Sequence, residues 1–207
     1  MGTLVFTHMG PEHVEEAAAM ELACFPSTNP ADLLHAEDLL GHVERFPEGN
    51  FVVLDAGRVV GMGCGILVDF DFSHLQHNLH DICGERASGH DPDGAWYYGT
   101  DISVLPDHRG RGIGRRLYEL RKDVVRALDR AGIVAGGHLP GYRDHRDLEP
   151  EEYVARVVAG ELVDPTLTMQ LHNGFEVMGV IREYLDDPSI GGCASLIVWR
   201  NPDHRRT

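Results

Sequence analysis

Arginine and glycine residues alternate in one short segment, Val104–Arg116, which reads VLPDHRGRGIGRR. The residues before it are rich in aromatic and β-branched side chains, and Pro106 ends strand pairing because it has no N–H to donate. Glycines in such a turn adopt backbone angles that other residues avoid, which lets a ligand approach the main chain. The N–H groups of the turn and of the first helical turn after it are unpaired and partly positive. The segment therefore predicts a binding site for an anion such as a pyrophosphate.

Two better-known phosphate loops fail on spacing. A P-loop requires G-x-x-x-x-G-K-[ST], but Arg115 stands five residues after Gly110, and neither Lys nor Ser/Thr follows in place. A dinucleotide fingerprint requires G-x-G-x-x-G, and Arg115 again occupies the position of the third glycine. The pattern that remains is R-x-x-G-x-G, from Arg109 to Gly114.

The distribution of charge supports an anionic ligand at this turn. The chain has a formal net charge of -15, yet eight of its 18 Lys and Arg residues lie between Arg109 and Arg130. Arg109, Arg111 and Arg115 cluster where a helix N-terminus disfavours cations, which is understandable if an anion binds there. Further along the helix we expect a solvated face, on which Arg121, Arg126 and Arg130 pair with Glu119, Asp123 and Asp129. The net negative charge argues against nucleic acid as a partner.

Length and composition indicate a single domain over residues 1–207. The chain has 207 residues and is 43% hydrophobic, which is ample for one core and short for two. No apolar run approaches ~20 residues and no leader pattern begins the chain, so we expect a cytoplasmic protein with no membrane partner. The four cysteines contain no C-x-x-C pair and the 13 histidines show no ligand spacing, so we expect reduced thiols and no metal.

The order of periodic segments predicts a β-α-α-β-β-β-α-β-α-β-β chain, with one further helix, Glu151–Ala159, inserted before its last helix. The predicted strands are Thr3–His8, Phe51–Leu54, Val59–Phe70, Trp96–Val104, Ile133–Gly137, Phe175–Ile181 and Ala194–Trp199. The predicted helices run from Pro11 to before Pro26, and over about Pro30–Arg45, Arg115–Ala131, Glu151–Ala159 and Pro165–His172. Gly132 is expected to stop the third of these helices, and Ser73–Gly94 to be a loop with one helical turn on the substrate side. The fifth strand is expected to be parallel to the fourth.

Together these features resemble the GNAT superfamily of acyl-CoA-dependent N-acyltransferases. The resemblance rests on the hydrophobic-x-Pro and R-x-x-G-x-G pattern, on GRVVG at Gly57–Gly61 and on HNGFEVMGV at His172–Val180. More narrowly, TDISV, RGRGIG, RLYE and AGGHLPGY resemble the GNAT module that in some bacterial proteins precedes a carbon–nitrogen hydrolase domain. The resemblance implies the GNAT fold, an α/β (α+β) fold whose central sheet is mixed, mostly antiparallel and about seven-stranded, with helices on both faces.

The resemblance also implies a function, that of an acetyl-CoA-dependent N-acetyltransferase in which a primary amine attacks the thioester directly. Acetyl-CoA is the expected cosubstrate and a small-molecule or peptidyl amine the acceptor; a homodimer is one assembly that the resemblance allows. The residues that it places at the acyl-CoA are Ile102, Val104, Arg109, Gly110, Arg111, Gly112, Ile113, Gly114 and Arg115. The end of the fourth strand would hold the pantetheine, with one N–H toward the thioester oxygen, and the turn would hold the pyrophosphate.

The catalytic residues are less well defined by the resemblance. Many GNAT enzymes carry a tyrosine as general acid four residues before the glycine of their G-F pair, a position that Gln170 occupies here. An amide cannot deliver a proton, so water, Tyr142 or His138 are the alternatives for that role. Asp101 and Tyr98 are the candidate bases. Strict strand alternation places them on opposite faces of the sheet, so that only one would face the cleft.

The missing tyrosine keeps a second hypothesis open, a catalytically weak GNAT-fold module that binds acyl-CoA or docks a partner. From charge alone, Asp69, Asp71 and Asp81 suggest a polycationic acceptor such as a polyamine.

Overall fold

The central element of the fold is a seven-stranded sheet. The computed structural model describes residues 2–205. The strands are β1 (Leu4–His8), β2 (Phe51–Asp55), β3 (Arg58–Val68), β4 (Trp96–Val104), β5 (Gly132–His138), β6 (Glu176–Ile181) and β7 (Ala194–Arg200). Their order in the sheet is β1-β2-β3-β4-β5-β7-β6, and neighbours are antiparallel except β4 and β5, which are parallel. The predicted fold class is confirmed.

Helices cover both faces of this sheet. They are α1 (Val14–Cys24), α2 (Ala36–Arg45), α3 (Leu79–Cys83), α4 (Ile113–Ala127), α5 (Pro150–Val158) and α6 (Leu167–His172). Short 3-10 helices span Pro11–His13, Pro30–Asp32, Pro47–Gly49, Glu85–Ala87, Pro106–His108 and Pro140–Asp144. On one face, Ala17 of α1 and Leu39 of α2 share a buried cluster with Cys64 of β3. On the other, Tyr118 of α4 shares a buried cluster with Ile133 of β5.

The segment predicted as one helix over Pro30–Arg45 is divided in two. It contains a 3-10 turn and then α2, with an extended residue, Leu33, between them. The N–H of Leu34 donates to the carboxylate of Glu21 at 3.1 Å instead of to a helical carbonyl. A side-chain acceptor from α1 therefore fixes the chain in a conformation that local sequence pattern does not reveal.

Two other boundaries differ from those predicted. Helix α4 ends at Ala127 rather than at Ala131, and Asp129 has a φ of 51°, which a helix does not allow. Gly132 is accordingly the first residue of β5 and not a helix stop. The loop predicted at Ser73–Gly94 contains a short helix, α3, in agreement with the one helical turn expected there, and also a 3-10 turn. None of the helices within residues 2–205 has both the length and the apolar character needed to cross a membrane.

One extra residue in β4 breaks the regular pairing with β3. Cys64 pairs with Asp101, whereas the next residue along β3, Gly65, pairs with Gly99. Thr100 therefore has no partner in β3 and forms a β-bulge. Such a bulge re-aims the side chains that follow it.

The bulge places the side chains of Tyr98 and Asp101 on the same face of the sheet. Residues that pair directly across two strands point to the same face, and Asp101 pairs with Cys64 while Tyr98 pairs with Ile66. Cys64 and Ile66 are two residues apart in β3, so they share a face. The predicted opposite orientation of Tyr98 and Asp101 is therefore wrong, because Thr100 shifts the alternation by one residue.

The sheet opens just beyond this bulge. Parallel pairing of β4 and β5 ends at Gly99 and Ala135, although β4 continues to Val104 and β5 to His138. Past that level each strand keeps only its outer neighbour, β3 for β4 and β7 for β5. Backbone groups on the inner edges of the two strands therefore face a cleft instead of each other.

Candidate active site

A cleft of about 840 Å³ lies where β4 and β5 separate. Its walls come from both strands, from the N-terminal half of α4, from α6 and from the end of α1 with the segment after it. The Arg/Gly turn before α4 forms part of the wall, as the sequence predicts. The cleft therefore joins the turn to the inner edges of the two strands.

The turn exposes the N-terminus of a long helix. Gly112 is the N-cap of the 15-residue helix α4 and has a φ of 78°, while Gly110 has a φ of 73°. A Cβ atom at either glycine would meet no atom within 4 Å, and one at Gly114 would meet only Met169, at 3.8 Å. The first backbone N–H groups of α4 are thus accessible, with the positive end of the helix dipole behind them. This end of the cleft is suited to an anion.

The three predicted arginines of the turn lie in different places. Arg115 is exposed and lines the cleft. Arg109 also lines it, but its Nε donates to the carbonyl oxygen of Val104 at 3.0 Å. Arg111 is outside the lining, because its Nη1 donates to a carboxylate oxygen of Asp55 at 3.0 Å. The structure therefore does not bring Arg111 to the cleft.

Asp101 provides a carboxylate in the cleft wall. Both of its oxygens lie within hydrogen-bond distance of the Ser103 hydroxyl, at 2.8 and 2.7 Å. Burial raises the pKa of Asp101 to about 6, although the Ser103 hydrogen bond and the nearby Arg121 guanidinium act in the opposite direction. At neutral pH such a carboxylate is mostly ionised and remains able to accept a proton.

A second carboxyl group, Glu21, lies in the same wall and is 2% exposed. Its Oε1 accepts the Leu34 N–H, whereas Oε2 has no hydrogen-bond partner among residues 2–205. Burial is the main cause that raises the pKa of Glu21 well above its usual value, and the charge of Asp101 adds to it. Sequence reasoning missed Glu21. Its one signal is a carboxylate within the otherwise apolar stretch from Ala17 to Cys24.

The structure places the other candidate base, Tyr98, in the core rather than in the cleft. Its side chain is buried, and its hydroxyl lies 2.7 Å from Nε2 of His77 and 3.0 Å from the hydroxyl of Tyr184. Burial raises the pKa of Tyr98 well above its usual value. Tyr98 is therefore removed as a candidate base, and Asp101 remains.

Gln170 lies in the cleft wall and contacts a tyrosine that the sequence did not single out. Its Nε2 donates to the hydroxyl oxygen of Tyr118 at 3.2 Å, and both side chains line the cleft. Burial raises the pKa of Tyr118, while the Arg121 charge and the Gln170 hydrogen bond lower it. Tyr118 stands on the buried face of α4, four residues after Gly114. That position, a tyrosine on the inward face just beyond the glycine turn, is the signal that could have found it.

The two predicted alternatives for the general acid differ in position. His138 lines the cleft, and its Nε2 lies 3.2 Å from Oδ2 of Asp187. Burial lowers the pKa of His138, partly offset by Asp187. Tyr142 is outside the cleft lining, and its hydroxyl donates to the carbonyl of Leu148 at 2.7 Å. His138 is thus within reach of a ligand in the cleft, whereas Tyr142 serves a structural contact.

Arg121 does not lie on the solvated face of α4, so this prediction is wrong. It is 1% exposed, and its Nη2 donates to the carbonyl oxygens of Cys64, at 2.6 Å, and Asp101. Because the bulge disturbs backbone pairing there, a buried guanidinium supplies the missing donors. Arg126 does pair with Asp123, at 3.2 Å.

The bulged residue itself presents an unused hydroxyl. Thr100 is 8% exposed and lines the cleft, and its Oγ1 has no hydrogen-bond partner in the described part of the chain. A buried hydroxyl of this kind is a ready donor or acceptor for a ligand. No group of three or more His, Cys, Asp or Glu side chains within residues 2–205 is arranged to hold a metal ion.

Comparison with known sequences identifies the family. Residues 14–135 match the Acetyltransferase (GNAT) family. The chain is 34% identical over 204 residues to "Probable hydrolase YhcX" of Bacillus subtilis (strain 168). This alignment covers 97% of this chain but only 39% of that protein. It is 31% identical over 200 residues to "Uncharacterized N-acetyltransferase YkwB" of the same strain, which covers 93% of this chain and 87% of that protein. The chain belongs to the GNAT acetyltransferase family, as its sequence pattern predicts.

Solved structures share the same fold. The loading GNATL domain of CurA from Lyngbya majuscula superposes with a TM-score of 0.83 at 19% identity, covering 98% of this chain and all of that one (100%). The "GphF GNAT-like decarboxylase in complex with isobutyryl-CoA" superposes with a TM-score of 0.78 at 22% identity, covering 95% of this chain and 99% of that one. At these identities the likeness establishes the fold alone.

Proposed function

We propose that the chain is an acetyl-CoA-dependent N-acetyltransferase that transfers the acetyl group to a primary amine. The observation that carries this function is the glycine turn at the N-terminus of α4, which opens directly onto the cleft between β4 and β5. Membership of the GNAT acetyltransferase family supports acyl transfer in general.

The turn before α4 would bind the pyrophosphate of acetyl-CoA. Side chains are absent at Gly110 and Gly112, and the space around them is open, so phosphate oxygens can reach the backbone N–H groups. Arg115 adds a cation at the same end of the cleft, whereas Arg111 is engaged by Asp55. The pantetheine would lie along the inner edge of β4 beyond Gly99, where pairing with β5 has ended.

Asp101 would act as the base at the acceptor nitrogen. An alkyl ammonium has a pKa of roughly 10 and must lose a proton before its nitrogen can attack. The Asp101 carboxylate accepts that proton, and the nitrogen forms a bond to the acyl carbon. A backbone N–H in the segment from Ile102 to Val104 would donate to the oxygen on which negative charge develops.

Tyr118 would act as the acid toward the leaving sulfur. As the carbon–sulfur bond breaks, the thiolate takes the phenol proton of Tyr118. The Gln170 amide, which donates to the same phenol oxygen, stabilises the phenolate that results. The nitrogen bonded to the acyl carbon still carries a second proton to lose, which passes through water to the phenolate, and Asp101 releases its own proton to solvent, so both groups return to their starting states.

Thiol release from acetyl-CoA across a panel of amines tests this function. We expect amine-dependent release of thiol and a stoichiometric N-acetyl product, detected by mass spectrometry. Failure to bind millimolar acetyl-CoA by calorimetry would overturn the proposal. Tight binding without turnover on any amine would instead favour the alternative of an acyl-CoA-binding or partner-docking module.

A second candidate function is decarboxylation, the activity named for GphF, which for this chain we would expect on an acyl-CoA that carries a carboxylate next to the thioester. The observation that favours it is the buried, unpartnered hydroxyl of Thr100 in the cleft wall of the described chain. A donor there could stabilise the enolate oxygen that forms as carbon dioxide leaves. Incubation with malonyl-CoA, without any amine, separates the two functions. Formation of acetyl-CoA would support decarboxylation, and unchanged malonyl-CoA would support transfer.

A further inference from the structure

Two carboxyl groups from different elements line the cleft, Glu21 from α1 and Asp101 from β4. Asp101 lies on the face of the sheet that α1 covers, because it pairs with Cys64, which is buried in one cluster with α1. The charge of Asp101 acts on Glu21 strongly enough to raise the pKa of Glu21 further, after burial has raised it. The cleft wall therefore presents both carboxyl groups to a ligand bound within it.

The buried oxygen of Glu21 is the second, independent sign of a ligand. Glu21 is 2% exposed and lines the cleft, and its Oε2 has no hydrogen-bond partner among the described residues. A buried polar atom in that state is costly, and an N–H donor from a ligand would relieve the cost. An ammonium group offers three such donors together with a positive charge.

The surrounding charges leave room for a cation. Asp38 of α2 adds a negative charge near Glu21, and Arg121 of α4 adds a positive charge near Asp101. Arg109, from the turn before α4, lies near Cys24 at the end of α1. Both guanidiniums donate to backbone carbonyls, Arg121 to those of Cys64 and Asp101 and Arg109 to that of Val104, which leaves the carboxylates of Glu21 and Asp101 to a ligand.

Apolar side chains also line the cleft. Its lining includes Phe25, Leu33, Leu79 and Leu185. Such a lining suits a hydrocarbon chain attached to the bound cation. By contrast, the acidic residues that suggested a polycation are engaged elsewhere: Asp69 with Ala95, Asp71 with Ser73 and His74, and Asp81 at the N-terminus of α3.

Resting on the acyl transfer proposed above, we propose that Glu21 and Asp101 form the subsite for the ammonium group of the acceptor, which is an aliphatic primary amine with an apolar carbon chain. Glu21 holds the cation beside Asp101, and Asp101 receives its proton. A cation beside the two carboxyls favours their charged forms, so we expect binding of an ammonium to release a proton to solvent.

Calorimetry with n-butylammonium as the probe, and no acyl-CoA, tests the subsite on the full chain. Titrations in two buffers of different ionisation enthalpy, neither of them a primary amine, give the affinity and the number of protons released. We expect n-butylammonium to bind with proton release near pH 6.5, and 1-butanol to bind at least about tenfold more weakly with none. Glu21→Gln keeps an acceptor for the Leu34 N–H, so it should fold; it should weaken n-butylammonium about tenfold and abolish the proton release.

Glu37→Gln is the matched control, because Glu37 is an exposed residue of α2 and the substitution removes the same charge. It should bind n-butylammonium as the wild type does. If circular dichroism shows that Glu21→Gln is unfolded, Asp101→Asn serves as the second variant and should likewise weaken n-butylammonium about tenfold. Wild-type affinity in Glu21→Gln, binding without proton release, or no binding of n-butylammonium would each overturn the subsite. Because the titration contains no acyl-CoA, it tests ammonium binding separately from acetyl transfer. Binding can be observed even if acetyl transfer fails, and acetyl transfer can be observed even if this subsite is wrong.

Discussion

The amide nitrogen of Gln170 lies 3.2 Å from the hydroxyl oxygen of Tyr118, and both residues line the cleft. An amide NH2 group can only donate, so the Tyr118 oxygen accepts and its own hydrogen points elsewhere. The position at which many related enzymes carry a tyrosine thus holds a residue that orients a tyrosine from another helix. The cleft wall therefore contains a phenol, on α4, although residue 170 is a glutamine.

Tyr118→Phe should lower kcat roughly 100-fold, because it removes the proton donor for the leaving thiolate. KM for acetyl-CoA should stay within about threefold, since the phenol acts on the transition state and not on the pyrophosphate. Steady-state thiol release over a range of acetyl-CoA concentrations measures both constants. Tyr142→Phe is the control, as its hydroxyl donates only to the Leu148 carbonyl; it should cost about 1 kcal/mol of stability and leave kcat unchanged. A wild-type kcat in Tyr118→Phe would contradict the assignment.

Gly112→Glu should abolish stabilisation of the chain by acetyl-CoA. The substitution puts a carboxylate at the N-cap of α4, where the phosphates are expected to bind. For the wild type, ligand at a hundredfold excess over Kd adds about 2.7 kcal/mol, which raises Tm by about 5–10 °C. Differential scanning fluorimetry with and without acetyl-CoA measures this shift.

The control for backbone strain is Gly160→Glu. Gly160 has a φ of 76°, close to the 78° of Gly112, and a Cβ there would also meet nothing within 4 Å. Both variants should therefore lose similar stability in the absence of ligand. Only Gly112→Glu should lose the shift with acetyl-CoA; loss of the shift in both variants would assign it to strain rather than to the turn.

Ser103→Ala should move the acidic limb of the pH–rate profile to higher pH. As a base, Asp101 must be ionised, so kcat/KM should fall as pH drops through its pKa of about 6. The Ser103 hydroxyl stabilises the ionised form, and its removal raises that pKa further. Profiles of kcat/KM from pH 5 to 9 for both proteins provide the measurement. An unchanged limb would indicate that Asp101 is not the base.

The order of elements and the anion turn could be predicted from the sequence because both depend on local pattern. Alternating apolar residues define the strands, three- and four-residue spacing defines α4, and glycines mark the turn at Gly110–Gly114. The parallel pairing of β4 with β5 followed from the helix that connects them. These features need only neighbouring residues to be recognised.

The interior of the cleft could not be predicted in the same way because it depends on contacts between distant segments. The bulge at Thr100 appears only in the register of β4 against β3, and it reverses the faces inferred for Tyr98 and Asp101. Arg121 is a charged residue of the kind found on the solvated face of a helix. It is buried instead, because its guanidinium donates to backbone carbonyls at the bulge. Glu21 likewise acquires its role only when α1 packs against β4.

Asp101→Asn should make the protein more stable at neutral pH while removing catalysis. The pKa of Asp101 is raised from 3.8 to about 6 in the folded state, so the folded state binds more protons than the unfolded state between these values. Wild-type stability therefore falls as pH rises from about 4 to 6, and the penalty is complete above that range. Asparagine cannot ionise, so Asp101→Asn should exceed the wild type by about 1–2 kcal/mol at pH 7.5, with the difference shrinking toward pH 4. Urea denaturation at both pH values measures the free energy of unfolding.

Asp123→Asn on the exposed side of α4 should change stability by less than about 0.5 kcal/mol. A less stable Asp101→Asn at pH 7.5 would show that the carboxylate is not held at a cost to folding.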